Sequence, residues 1–170
     1  QGAKEILDYM KIKQVNVHNF LSHDYNEPVY VQLDVLDYVK RIDGLQSSKS
    51  DFFKNPFDYK SIFLKFTKVS DVFIAGHFYG KGSPYFFNRD EAKSPSFKLK
   101  VIADISCDIN GPIGSTIRSS TISSPIYGYN PQTESETNYK TKNSIAVMAV
   151  NNLPCELPKD ASEEFGKTFI

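Results

Sequence analysis

The chain has 170 residues, 40% hydrophobic and 24% charged, and its 20 basic residues balance 20 acidic ones to a formal net charge of zero. That length suits one domain, and the charge balance removes the electrostatic case for binding nucleic acid or an anionic membrane. No apolar run approaches the ~20 residues that span a bilayer, and no signal-peptide pattern opens the chain. It therefore reads as cytoplasmic, and a start at Gln-Gly-Ala-Lys rather than Met reads as processed or truncated. Cys107 and Cys155 form no CxxC motif, and His18, His23 and His77 have no ligand spacing with them, so reduced thiols and no metal site are expected.

Ala3, Ile6, Leu7 and Met10 fall on one face at helical spacing, which predicts a helix over 3–10. Gln14 to Val17 is a short strand candidate, and Val29–Val35 (VYVQLDV) is a better one, β-branched and following Pro28. From Arg41 to Asn55 the chain is polar and serine-rich and reads as a loop. Over Pro56–Lys68, apolar residues at 59, 62, 63 and 66 behind Asn55 and Pro56 predict a helix.

Asp71–Ala75 (DVFIA) reads as a buried strand ending at Gly76, and Arg89–Lys93 as a short helix. Lys98–Ser106 (KLKVIADIS) carries the strongest strand signal. Asp108–Lys142 is rich in Gly, Pro, Ser and Thr and is expected to be irregular. A loop of that length after a central strand marks a binding region, because ligands of open α/β sheets sit at the carboxyl ends of the strands. Ser144–Val150 (SIAVMAV) is a further strand. Pro158–Ile170 is expected to be a helix able to dock through Phe165, Phe169 and Ile170. This alternation predicts an α/β fold with a parallel sheet buried on both faces.

Four stretches together resemble the alanine dehydrogenase and pyridine-nucleotide transhydrogenase superfamily, and within it the NAD-dependent, lysine-forming saccharopine dehydrogenases. They are Gly2–Leu7 (GAKEIL), Asp71–Tyr79 (DVFIAGHFY), Val101–Asp108 (VIADISCD) and Val150–Ser162 (VNNLPCELPKDAS); the last two are the most specific. The resemblance implies a Rossmann-like parallel sheet flanked by helices, lacking its first strand and glycine turn, of which only Gly2 and Ala3 remain. It implies an incomplete dinucleotide-binding domain over 1–157 and a helix over 158–170 leading back to a catalytic domain outside this sequence. The acid–base Lys or His is expected in that domain, so this stretch would hold no catalytic residue and would be inactive alone.

NAD is the implied cofactor, with Gly2, Asp34, Gly76, His77, Phe78, Tyr79 and Asp104 as cofactor-binding candidates and Asn152 close to an amino-acid substrate. Asp34, placed at the end of the VYVQLDV strand, would accept hydrogen bonds from the adenosine ribose and repel a 2′-phosphate. Asp37 competes for that role, and an exposed strand-end Asp is the plain alternative. Gly76 serves equally as a simple strand-to-loop turn. Asp104, a carboxylate in an apolar strand, either lies at the nicotinamide end or caps neighbouring backbone. Cys107 reads as a packed thiol. Asn152 reads as substrate-proximal or as a turn former before Leu-Pro.

The substrate implied is saccharopine, cleaved to lysine and 2-oxoglutarate. An alanine-dehydrogenase-like deamination of a small amino acid is the nearer alternative, and a non-catalytic nucleotide-sensing domain is the alternative of another class. A missing first strand would leave a central sheet edge unpaired and favour homo-oligomers.

Overall fold

The computed structural model describes residues 2–167. In its first half the elements are short: α1 (Gly2–Tyr9), β1 (Lys13–Gln14), α2 (Val17–Ser22), β2 (Val29–Tyr30), α3 (Val35–Tyr38), β3 (Val39–Arg41), α4 (Lys49–Lys54), β4 (Tyr59–Ser61) and α5 (Leu64–Thr67). The second half contains β5 (Val72–Ala75), α6 (Arg89–Ala92), β6 (Val101–Asp104), β7 (Ile126–Asn130), β8 (Ser135–Thr137), β9 (Ile145–Met148) and α7 (Pro158–Lys167). β1 and β2 form a parallel pair, β3 and β4 an antiparallel pair, and the remaining strands one sheet in the order β5-β6-β9-β7-β8.

That sheet has a parallel part, β5-β6-β9, and an antiparallel part in which β7 pairs with β9 and β8. The fold class is mixed α/β and consistent with a Rossmann-like arrangement. It departs from an all-parallel sheet because the 108–142 region, irregular over 108–125 as expected, also contains β7 and β8. Tyr127 and Tyr129 alternate inward around Gly128 and are fully buried, while Asn130 to Glu134 make the hairpin turn. The polar composition of the segment conceals this five-residue strand.

Burial along the register explains the layers. Phe73, Ile102, Val147 and Tyr127 are paired neighbours on one face, and they share a core with Phe63, which precedes α5, Phe66 of α5 and Ala92 of α6. Val17, Phe20 and Leu21 of α2 join the same core. The opposite face carries Val72, Ile74, Val101 and Ile126, each between 38% and 54% exposed. The expectation of a sheet buried on both faces is thus met on one face only.

Three further expectations are corrected. The predicted 56–68 helix breaks into a 3-10 turn at Pro56–Asp58, then β4, then α5. Tertiary pairing overrides the helical spacing here: β4 pairs with β3, and Tyr59 is buried against Phe52 and Val39. The 41–55 stretch is not all loop, because Ser48 caps α4 by accepting the Asp51 N–H at 3.1 Å. The 29–35 strand extends only over Val29–Tyr30, since its partner β1 offers just two residues, and Asp34 becomes the N-cap of α3.

The 3–10 helix, the DVFIA and SIAVMAV strands and the short 89–93 helix form within a few residues of their expected places. α7 forms as well, with Phe165 67% exposed; Phe169 and Ile170 lie outside the described residues.

The two sheet faces should respond differently to substitution. Ile102→Ala, in the interior strand β6 on the covered face, should cost about 2–5 kcal/mol through lost burial and the cavity left behind. Val101→Thr, its neighbour on the open face, should change stability by less than about 0.5 kcal/mol. Denaturant unfolding of both variants tests the pair, and a large loss in Val101→Thr would mean that this face is covered.

Candidate functional site at the carboxyl ends of the parallel strands

The parallel strands β5, β6 and β9 all end at one edge, where their following loops converge. After β5 come Gly76, His77, Phe78 and Tyr79; after β6 come Ser106, Cys107 and Asp108; after β9 comes the turn containing Asn152.

Ser106 ties the first two loops together. Its hydroxyl donates to the His77 carbonyl at 2.7 Å, accepts the His77 N–H at 3.1 Å and lies 3.2 Å from His77 Nδ1. The single hydroxyl proton is directed to the carbonyl, so Nδ1 is the donor in the third contact. Nε2 is then a bare acceptor, and it is buried without a hydrogen-bond partner. The ring packs edge-on to Phe86, with centroids 4.6 Å apart. Burial lowers the His77 pKa below its ordinary value, against the opposing charges of Asp104 and Asp108. Around this anchored residue the turn is open: Gly76 is exposed, a Cβ there would meet nothing within 4 Å, and Phe78 is 93% exposed.

Asp104 is 1% exposed, and both of its carboxylate oxygens are engaged within the protein. Oδ1 accepts the Cys107 N–H at 3.0 Å and Oδ2 the Thr116 hydroxyl at 2.7 Å. The carboxylate thus turns the chain as it leaves β6, with Cys107 in the left-handed region at φ 53°, and ties down the segment that returns at Thr116. In this arrangement Asp104 caps neighbouring backbone. The Cys107 thiol donates to the Ala149 carbonyl at 3.0 Å and its pKa is pushed up, first by burial and then by Asp104 and Asp108. It is a packed thiol with no thiolate character.

The returning segment lies within the 108–142 stretch expected to be a binding region, although the sequence singles out none of its residues. Ser115, Thr116 and Ser120 are buried, Tyr127 donates to the Ser115 carbonyl at 3.0 Å, and the Ser120 hydroxyl accepts the Ala149 N–H at 3.0 Å. Arg118 lies over the Tyr127 ring and grips Glu136 through two nitrogens at 2.7 Å each. The small Ser/Thr residues that suggested a loop are those that permit close packing across the strand ends. The inward tyrosines of β7 were the available signal.

Of the other candidates, Asn152 follows β9 at this edge, whereas Gly2 and Asp34 lie on α1 and at the start of α3. Asn152 is exposed and precedes a 3-10 turn at Leu153–Cys155, its carbonyl accepting the Cys155 N–H at 2.9 Å. Gly2 begins α1. Asp34 is half exposed and ion-paired to Lys49 at 2.5 Å, and this bond holds its carboxyl below the usual range. Its competitor Asp37 is occupied by the Asp34 N–H at 2.7 Å. Among the described residues, no hydrogen bond or ion pair links Gly2 or Asp34 to the strand ends. Among those residues, too, no group of three or more His, Cys, Asp or Glu is placed to hold a metal ion, and no helix is long and apolar enough to cross a membrane.

Two measurements test the site's internal wiring. Asp104→Ala should cost about 1–3 kcal/mol for each partner it orphans, and a double-mutant cycle with Thr116→Val should return a coupling of about 1 kcal/mol or more; additive losses would refute the link. The unfolded His77 imidazole takes up its proton at a higher pH than the folded one. Its contribution to stability is therefore complete above about pH 6.5 and is lost as pH falls toward the folded value. Wild type should lose stability relative to His77→Gln as pH falls below about 6.5, and parallel curves would contradict the buried neutral ring.

No protein-family model matches the chain. It is 30% identical over 135 residues to the alpha-aminoadipic semialdehyde synthase of Arabidopsis thaliana, covering 76% of this chain and 13% of that protein. It is 28% identical over 111 residues to a saccharopine dehydrogenase [NAD(+), L-lysine-forming] of Schizosaccharomyces pombe, covering 62% of this chain and 28% of the relative. The Emericella nidulans protein of the same name is 25% identical over 116 residues, covering 64% and 28%. The chain therefore spans between 13% and 28% of the length of these relatives. Over most of its own length, it is similar to saccharopine dehydrogenases.

Proposed function

We propose that this chain is the nucleotide-binding portion of an NAD-dependent amino-acid oxidoreductase of the saccharopine dehydrogenase kind. The observation that carries this reading is the convergence of three parallel strand ends on one open edge. There Ser106 pins the His77 turn while Gly76 and Phe78 face outward. Similarity to the saccharopine dehydrogenases supports it over 62–64% of the chain for two of those relatives.

The residues fit a dinucleotide at that edge. Gly76 leaves room for backbone to approach a ligand, Phe78 offers a bare aromatic face, and the buried Nε2 of His77 is an acceptor in need of a donor. NAD, when bound, would accept or supply the hydride. The chain's own task is to position it: the Gly76–Tyr79 turn lines one side, Asp104 holds the floor in shape from beneath, and Asn152 sits on the rim nearest the substrate. Asp34 would take the adenosine ribose hydroxyls, sharing its carboxylate with Lys49.

The proton acceptor for amine chemistry belongs, on this reading, to a separate catalytic domain. The uncovered sheet face and the free edge of β5 support such a larger unit, because parallel sheets are ordinarily covered on both faces.

Assaying the full-length protein tests the activity. Turnover of lysine with 2-oxoglutarate and NADH is the expected result. Turnover only of pyruvate with ammonia and NADH would replace this substrate with a small amino acid, and turnover of neither would remove both. Asp34→Ala should weaken NAD binding roughly ten-fold, about 1.4 kcal/mol. It should also narrow the preference over NADP, because Lys49 is then free to meet a 2′-phosphate. An unchanged preference measured by NADH and NADPH fluorescence titration would reject the ribose assignment.

A further inference from the structure

A recess of about 440 Å³ opens where the loops following β5 and β6 meet the β7–β8 turn. Tyr85, Arg89, Asp90, Asn110, Gly114 and Glu134 contribute to its wall. Its volume falls in the usual range for small-molecule sites, roughly 300–1,000 Å³. It adjoins the proposed nucleotide turn, because Tyr85 packs edge-on to Tyr79 with centroids 6.0 Å apart.

The charges in the recess are mixed and only partly satisfied. The Arg89 guanidinium donates through one nitrogen to Asn110 Oδ1 at 2.7 Å, and its other terminal nitrogen lies 3.6 Å from Glu134. A guanidinium has five donors, so one edge remains able to grip a carboxylate. Glu134 and Asp90 share the Lys93 ammonium, at 2.5 and 2.8 Å, and each carboxylate keeps further acceptor positions. A pyrophosphate here would bring two negative charges against two carboxylates. A zwitterion is matched at both ends.

The backbone around these groups is held in uncommon conformations. Asn110 and Glu134 are both left-handed, at φ 54° and 50°, a region non-glycine residues seldom occupy and one concentrated at functional sites. At Gly114 a Cβ would lie 2.7 Å from the Asn88 carbonyl carbon and 2.8 Å from the Arg89 nitrogen. The missing side chain therefore lets the loop close on the backbone that carries Arg89.

We propose that this recess binds the α-amino-acid end of the substrate, its carboxylate on Arg89 and its ammonium against Glu134 and Asp90. The inference rests on the proposed amino-acid substrate class and gives that class a location, beside the Gly76–Tyr79 turn.

Calorimetric titration of the full-length protein with saccharopine, L-lysine, L-glutamate and 2-oxoglutarate tests it, with NADH binding followed separately by fluorescence. Arg89→Gln should raise the Kd of each bound amino acid at least ten-fold and leave that of NADH within two-fold. Glu134→Gln should weaken the amino acids while sparing 2-oxoglutarate, which has no ammonium. If Arg89→Gln fails to fold, Arg89→Lys keeps the charge without the planar fork and should weaken binding in the same direction. Amino-acid Kd values unchanged in both Arg89 and Glu134 variants would overturn the proposal, as would a wild type that binds none of the three amino acids. Equal weakening of 2-oxoglutarate by Glu134→Gln would overturn it too, by exposing a merely structural role. Failure of wild type to bind NADH would count against the nucleotide reading instead.

Discussion

The Asp104 carboxylate is the constraint on which the arrangement at the strand ends depends. Burying an ionised carboxylate costs several kcal/mol in desolvation and is tolerated only where good hydrogen bonds oppose it. Its bonds to the Cys107 N–H and the Thr116 hydroxyl provide that opposition. One end turns the chain sharply out of β6; the other captures it again twelve residues later. Between them Ile113 drops into the core at 0% exposure, and Asn110 and Gly114 are brought to the wall of the recess beside α6. Asp104 thereby shapes both the turn at the strand end and the recess beyond it without presenting a free oxygen to either.

Legibility in the sequence followed the range of the interactions. DVFIA and VIAD are short β-branched runs whose partners are parallel strands like themselves, so local composition and tertiary context agree. The 56–68 stretch carried a helical spacing that was satisfied in another way, because Tyr59 and Phe63 can face the core from a strand and a turn as well as from a helix. β7 was hidden because its signal is two inward tyrosines around a glycine, set within serine and proline. What fixes it is the backbone of Asn138, which would lie 2.6 Å from a Cβ at position 128. No pattern within the segment announces a contact with a neighbouring strand.

The same distinction applies to the site. The 76–79 turn and the 104–108 stretch are candidates chiefly through the family resemblance, and the clear strands that lead into them locate them. The capping function of Asp104 was one of two open roles, and only the geometry of Cys107 and Thr116 distinguishes them. Asp34 shows the opposite case. The sequence places it at the end of a strand, but the strand stops four residues earlier and Asp34 instead caps α3 and pairs with Lys49. The residue type was informative, and the element assigned to it was not.

The uneven burial of the five-stranded sheet links these local points to the scale of the whole protein. Three parallel strands with one half-exposed apolar face and β5 on an edge make a sheet whose strand-end loops are well formed and whose second face is thinly covered. The residues that pin the loops, Ser106, Asp104, Thr116 and Ser120, all bond within the 75–150 region and draw nothing from α1 or α7. The loops can therefore hold their shape independently of whatever covers the far face. On the proposed reading, cofactor contacts at 76–79 and 104–108 would then tolerate change in the covering layer, whereas contacts that rely on Gly2 or Asp34, carried by α1 and the start of α3, would depend on it.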